Sequence, residues 1–295
     1  MARSKLSDYA ALTKPKIVPL LLMVALGSTV VASNLVLKTL IPSPMVLAGV
    51  LVAGGLTSLG ALTLNSYLES DIDAQMRRTK SRPLPAQRIV PASHALVMGL
   101  ALVGLGIATA FLTLNLTATL FIGLGAVVYV PVYTLWLKPR TSWNIVLGGF
   151  AGSCAALSGW YAVTAESSAV AWILAALVFV WTPTHFWSLA VITDADYSAA
   201  GIPMLPSLIG PAAASRYIVA NTLLLIPVSL LFALFLSGTG LLVYLGIAVA
   251  FDAALLATNI KLLLSPTKEN AWLAFKFSSP YLAVVFVAAM AAVVV

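Results

Sequence analysis

Apolar residues gather along this chain into runs of about 20, separated by short polar breaks. That is the length an α-helix needs to cross ~30 Å of hydrocarbon. The runs lack the alternation that marks the strands of a membrane barrel. The pattern predicts nine spanning helices, at 17–37, 45–68, 93–114, 117–137, 144–164, 169–193, 215–236, 240–262 and 271–293. Two connections are longer than the rest, 69–92 and 194–214. The expected fold is therefore an all-α polytopic membrane protein, with nine transmembrane helices around a central cavity and one domain over 1–295.

Charge supports this map and gives it a direction. With the N-terminus on the cytoplasmic side, Arg3, Lys5, Lys14, Lys16, Arg77, Arg78, Lys80, Arg82, Arg88, Lys138, Arg140, Arg216, Lys261, Lys268 and Lys276 all fall inside. Only Lys38 of the 16 basic residues falls outside, as the positive-inside rule requires. The polar, basic stretch 1–16 precedes an apolar run long enough to stay as a span, so no cleavable signal is expected. Composition agrees: 61% of the residues are hydrophobic and 8% charged, against about a quarter charged in soluble domains. In such a chain the net charge of +7 reads as loop charge, and no nucleic-acid partner is expected. One cysteine, Cys154, excludes a disulfide within the chain and a cysteine-based metal site.

Of the nine acidic residues, Glu69, Asp71, Asp73, Asp194 and Asp196 fall in the two long connections. These leave the second and sixth spans, which run in the same direction, so both segments lie at one membrane face. Each is followed by a proline-bounded stretch, 82–85 and 203–206, which hints at a diverged four-helix repeat. Asn65, Glu69 and Asp73 are spaced i, i+4, i+8 and share one helical face, while Asp71 points elsewhere. Hard oxygen donors near a membrane suit Mg2+, and the Arg77, Arg78, Lys80 and Arg82 that follow suit phosphate oxygens. Two facing carboxylate sets could hold metal around one diphosphate and stabilise it as it leaves. The competing reading is a pair of unrelated, solvated helix ends.

The run 65–85, the pair Asp196-Tyr197 and the stretch 201–206 resemble the UbiA-type intramembrane prenyltransferases. Asp71-Ile72-Asp73, Met76, Arg78-Thr79 and 82–84 are similar to the first motif of its heme-farnesylating branch. So are Lys138, Arg140-Thr141 and 144–149 to its fourth-to-fifth connection. Pro183, His185-Phe186-Trp187 and Leu189-Ala190 resemble its sixth helix, and 275–278 with Tyr281-Leu282 its last. Three positions depart from the pattern: Glu69 stands where Asp is usual, Ser66 where the wider superfamily has Asp, and Gln75 where Lys is common.

The resemblance implies farnesyl transfer from farnesyl diphosphate to the 2-vinyl group of heme B, with one water added, giving heme O and diphosphate. It implies Mg2+ as cofactor, held among Asn65, Glu69, Asp71, Asp73, Asp194 and Asp196. Arg78, Arg82, Lys138 and Arg140 are then diphosphate contacts. Tyr67, Asn144, His185 and Tyr197 are substrate contacts, with Asp73, Asp196 and His185 as catalytic candidates. His185, on the sixth span, is an intramembrane ionisable residue and thus a functional candidate for heme iron, a propionate or a proton; the bland alternative is a hydrogen-bonded structural histidine. His94 reads as interfacial. Asp252, inside the eighth span, has no partner that the sequence names. The implied setting is a multi-pass plasma-membrane protein with its active segments facing the cytoplasm, beside heme A synthase or terminal-oxidase assembly partners. A quinone-precursor prenyltransferase and a transporter are the alternatives. A transporter would place its polar residues near the midplane rather than at one face.

Overall fold

The computed structural model describes residues 5–295, so Arg3 lies outside the described residues. Its elements are all helices. A short α1 (Leu6–Leu12) precedes α2 (Val18–Ala32), which ends in a wide π turn, Ser33–Leu37. Then come α3 (Pro44–Leu68), α4 (Ser70–Gln75) and α5 (Ser93–Thr113). Helix α6 (Leu116–Val127) widens into a π segment, Val128–Leu137. It is followed by α7 (Asn144–Gly148), α8 (Phe150–Tyr161), α9 (Ala169–Ile192), α10 (Asp194–Ala199) and α11 (Leu205–Ile209). Helix α12 (Pro211–Leu231) closes on a 3-10 turn, Phe232–Phe235, ahead of α13 (Gly238–Leu264) and α14 (Lys268–Val294).

Helix starts follow ordinary chemistry. Asn115 Oδ1 accepts from the Ala118 amide at 2.9 Å, and Ser168 Oγ from the Val170 amide at 3.2 Å. Pro44 and Pro211 occupy first-turn positions that need no amide.

Among the described residues, eight helices are long and apolar enough to cross a membrane. The predicted span 144–164 runs instead as α7 and α8, which meet at Gly149. A Cβ on Gly149 would stand 3.1 Å from Thr182 Cβ of α9 and 3.1 Å from the Val146 carbonyl. The break thus sits where α7 and α8 pack close against α9.

The core lies between α2, α8, α9, α12, α13 and α14, with Val24, Leu157, Trp160, Leu174, Tyr281 and Phe286 buried in it. Lipid is as apolar as these side chains, so close approach rather than water exclusion holds such helices together. At Gly159 a Cβ would fall 2.0 Å from the Ala25 carbonyl oxygen. Backbone meets backbone there, and Thr29 Oγ1 donates to the Gly159 carbonyl at 3.0 Å. Asp252 of α13 finds partners: Ser229 Oγ donates to one carboxylate oxygen at 2.6 Å and Tyr281 OH to the other at 2.7 Å.

Candidate functional site

Asn65, Glu69 and Asp73 stand in line where α3 passes into α4. The helix kinks at Glu69 (φ −98°), yet the Asp73 amide still donates to the Glu69 carbonyl at 2.7 Å. The face therefore continues across the kink. All three side chains are buried, at 2%, 4% and 3% exposure.

Each has a basic partner from a different part of the chain. Lys14 Nζ donates to Asn65 Oδ1 at 2.5 Å, Lys138 Nζ to Glu69 Oε1 at 2.5 Å, and Arg82 Nη1 to Asp73 Oδ2 at 2.6 Å. Asn65 Nδ2 also donates to Thr134 Oγ1 at 3.0 Å. Asn65–Thr134 and Glu69–Lys138 are both 69 residues apart in sequence, so α3 and the end of α6 run as two parallel rails with matched rungs. The π segment makes this register. Its wide turns let the Lys138 amide reach the Tyr133 carbonyl at 2.9 Å and Thr134 Oγ1 the Tyr129 carbonyl at 2.8 Å. Such segments are common at functional sites.

The cations feel the low dielectric and one another. Burial, with Arg82 and Lys138 nearby, pushes the Lys14 amine down to about 7. Burial pulls the same way on Lys138, but the touching Glu69 carboxylate outweighs it and holds Lys138 above the usual lysine range.

In the second acidic segment Asp196, on α10, receives the backbone amides of Arg77 and Arg78 at 3.1 and 3.2 Å. Those amides lie just beyond α4 and would otherwise lack acceptors, so the carboxylate pins one connection to the other. Asp194 is half-buried with Ser198 Oγ at 3.5 Å, and Asp71 is exposed. Among the described residues no three Asp, Glu, His or Cys side chains gather into a metal-binding group. The carboxylates that share a buried face are Glu69 and Asp73.

The other candidates scatter around this face. Tyr67 packs against the apolar group of Leu12, Leu84 and Ile89. Tyr197 is buried with Met76, Ile202 and Met204. The Arg78 side chain is exposed. Arg140 caps the π segment, donating to the carbonyls of Leu135 and Trp136 at 2.9 and 3.1 Å. Asn144 is fully buried, its Nδ2 on the Thr141 carbonyl at 2.5 Å and its Oδ1 unpartnered. His185 lies within α9, stacked between Trp181 and Phe275 with ring centroids 4.6 Å away on both sides. Its Nδ1 meets Ser278 Oγ at 2.6 Å. His94 meets the Tyr9 hydroxyl at 3.1 Å, as an interfacial residue would. Sequence reasoning missed Lys14, Thr134 and Ser278. Two had a signal: Thr134 precedes Lys138 by four residues just as Asn65 precedes Glu69, and Ser278 closes the 275–278 run.

The donor set fits a hard divalent cation. Asn65, Glu69 and Asp73 offer an amide and two carboxylate oxygens on one buried face, which is the chemistry Mg2+ takes. Their lysine and arginine partners are the groups that bind phosphate oxygens.

The chain belongs to the UbiA prenyltransferase family, whose profile matches residues 21–292. It is a multi-pass membrane prenyltransferase. Protoheme IX farnesyltransferase 1 of Cenarchaeum symbiosum is 44% identical to it over 95% of this chain and 94% of its own. Protoheme IX farnesyltransferase of Sulfolobus acidocaldarius is 42% identical over 97% of this chain and 96% of its own. Two solved structures share the fold. A digeranylgeranylglyceryl phosphate synthase superposes with a TM-score of 0.77 at 18% identity, covering 98% of each chain. A UbiA homolog from Archaeoglobus fulgidus, bound to DMAPP and Mg2+, does so with 0.71 at 17% identity, covering 93% of this chain and 99% of that one.

Proposed function

We propose that this chain, working as one catalytic unit, transfers the farnesyl group of farnesyl diphosphate to the 2-vinyl group of heme B, with water added, giving heme O and diphosphate. The observation that carries this reading is the buried face of Asn65, Glu69 and Asp73, each held by a cation. The acceptor comes from the likeness to the two farnesyltransferases.

The residues divide the work. Lys138 and Arg82 turn from their carboxylates toward the diphosphate oxygens and take up the charge that develops as the C1–O bond breaks. Asn65, Glu69 and Asp73 would hold Mg2+, which would add positive charge against the leaving group. Asp196 keeps the 77–82 turn in place, so that Arg82 stays aimed. The allylic cation is attacked by the electron-rich vinyl group, and water captures the cation left beside the pyrrole and loses a proton. His185 lies about 13 Å along α9 from Asp194, at 1.5 Å per residue. Ser278 Oγ donates to the Phe275 carbonyl at 2.7 Å. Its one proton is then spent, so His185 Nδ1 carries the hydrogen of the His–Ser bond. That leaves Nε2 as a lone pair for the acceptor, at iron or at the adding water. Asp71, Asp194, Arg78 and Arg140 have no part in this scheme.

The setting is the plasma membrane with the site toward the cytoplasm, where the basic loops lie. Heme A synthase and oxidase assembly are the natural consumers of the product. The test is turnover of the purified chain with farnesyl diphosphate and either heme B or 4-hydroxybenzoate, read by mass spectrometry. Heme O alone is expected, lost on chelation and in Asp73→Asn. A prenylated benzoate instead, or an active Asp73→Asn, refutes the reading.

A further inference from the structure

The buried face carries more positive charge than it uses. Glu69 is matched by Lys138 and Asp73 by Arg82, in two ion pairs. Lys14 is the third cation, and its partner is the neutral amide of Asn65. Among the described residues it makes no ion pair. Lys14 is half-buried beside two other cations, a placement that is unfavourable except as far as the nearby Glu69 and Asp73 offset it.

The protein nonetheless builds a frame to hold it there. Lys14 has φ +47°, a left-handed backbone that costs energy for a residue with a Cβ. The segment ahead of it is strapped to the rest of the chain at three points. Arg88 Nε pairs with Asp8 at 2.8 Å, Tyr9 meets His94 at 3.1 Å, and Ser66 Oγ donates to the Leu12 carbonyl at 3.1 Å. Lys14, Ser66, Asp73, Arg82 and Pro83 line a small cavity of about 10 Å³ between the segment and the 82–85 stretch, roughly one water in size. A strained backbone, three straps and an unmatched cation aimed at one point describe a site that awaits an anion.

We propose that Lys14 is a third diphosphate-binding residue, delivered by the N-terminal segment, and that it adds to Arg82 and Lys138 a cation that no carboxylate pairs directly. This rests on the diphosphate reading of the site. Lys14 moves from the Asn65 amide to a diphosphate oxygen, and Asn65 Oδ1 becomes free for another partner. Lys16, two residues on and exposed, stays in solvent.

The test is binding of farnesyl thiodiphosphate, an unreactive analogue, with Mg2+ by calorimetry on the full chain in nanodiscs. Lys14→Met is expected to weaken binding roughly tenfold or more, the worth of one charged hydrogen bond. Lys14→Arg is expected to retain most of the affinity, and Lys16→Met all of it. The KM for farnesyl diphosphate should rise in step while that for the acceptor stays put, a split that mere loosening of the fold does not give. Lys14→Gln keeps an amide contact to Asn65 without the charge, and should behave as Met does even if Met folds poorly. Affinity within about twofold of the parent in both Met and Gln variants overturns the proposal. If Arg82→Met and Lys138→Met weaken binding in that case, Lys14 alone is misassigned. If they do not, the diphosphate reading falls as well.

Discussion

Replacing Lys138 by Met strands the carboxylate of Glu69 in a place where water cannot reach it. The two side chains are 11% and 6% exposed and 2.5 Å apart, so solvent screens them little. Removing one partner of such a pair costs about 3–5 kcal/mol. The stranded acid has one escape, to take up a proton. For an ordinary glutamate at pH 7 that costs about 3.7 kcal/mol, which caps the penalty, and each unit of pH downward relieves about 1.4 kcal/mol. The sign follows from proton counts: in the variant the folded state holds a proton that the unfolded chain releases, so folding strengthens as pH falls. Lys138→Met should thus be about 3 kcal/mol less stable than the parent at pH 7, with most of that deficit gone near pH 5.

Adding Glu69→Gln removes the stranded charge. The double variant should recover to within about 1 kcal/mol of the parent at pH 7, because a neutral pair of similar size carries no desolvation debt. Unfolding in mixed micelles, followed by tryptophan fluorescence at both pH values, measures this. Turnover measured on the same samples should stay lost in the double variant, since both groups leave the catalytic face. Additive effects, or a deficit in Lys138→Met that does not shrink with acid, would refute the buried ion pair and the role of the π segment in aiming Lys138.

Asp196→Ala frees the Arg77 and Arg78 amides, and loss of two charged hydrogen bonds should loosen the connection by about 2–4 kcal/mol locally. Trypsin should then cut between Arg77 and Arg82 much faster while the bundle stays folded; unchanged cleavage would dismiss the clamp. Asp252→Leu leaves the Ser229 and Tyr281 hydroxyls without their acceptor and should cost about 2–5 kcal/mol, whereas Asp252→Asn keeps an oxygen and should cost under half of that, with the KM values of the folded fraction unchanged in both. Gly159→Val drives side-chain atoms into the Ala25 carbonyl and should cost about 3 kcal/mol or more by thermal unfolding; a neutral result would mean that α2 and α8 are not in backbone contact.

What the chain announced in advance and what it hid divide by the range of the forces involved. Lipid imposes a local requirement, about 20 apolar residues per span, so the spans could be read off directly. The Asn65, Glu69 and Asp73 face was legible for the same reason, because helical period alone decides that four-residue steps align and that Asp71 faces away. The break at Gly149 was hidden. It lies against Thr182 of α9, whose nearness no local pattern encodes. The π segment left one trace, Pro131, which cannot supply an amide to a regular helix. Even so, nothing near Pro131 says that widening will set Thr134 against Asn65. The clamp made by Asp196 was hidden because its partners there are backbone amides, which look the same at every residue. Lys14 was concealed most completely: in sequence it is one basic residue among several in a loop. Only the fold shows that it stands on a strained backbone against an uncharged partner, beside two cations already spoken for. Charge placed against local cost, with no visible compensation inside the protein, is the pattern by which a structure points to a ligand that the sequence alone does not name.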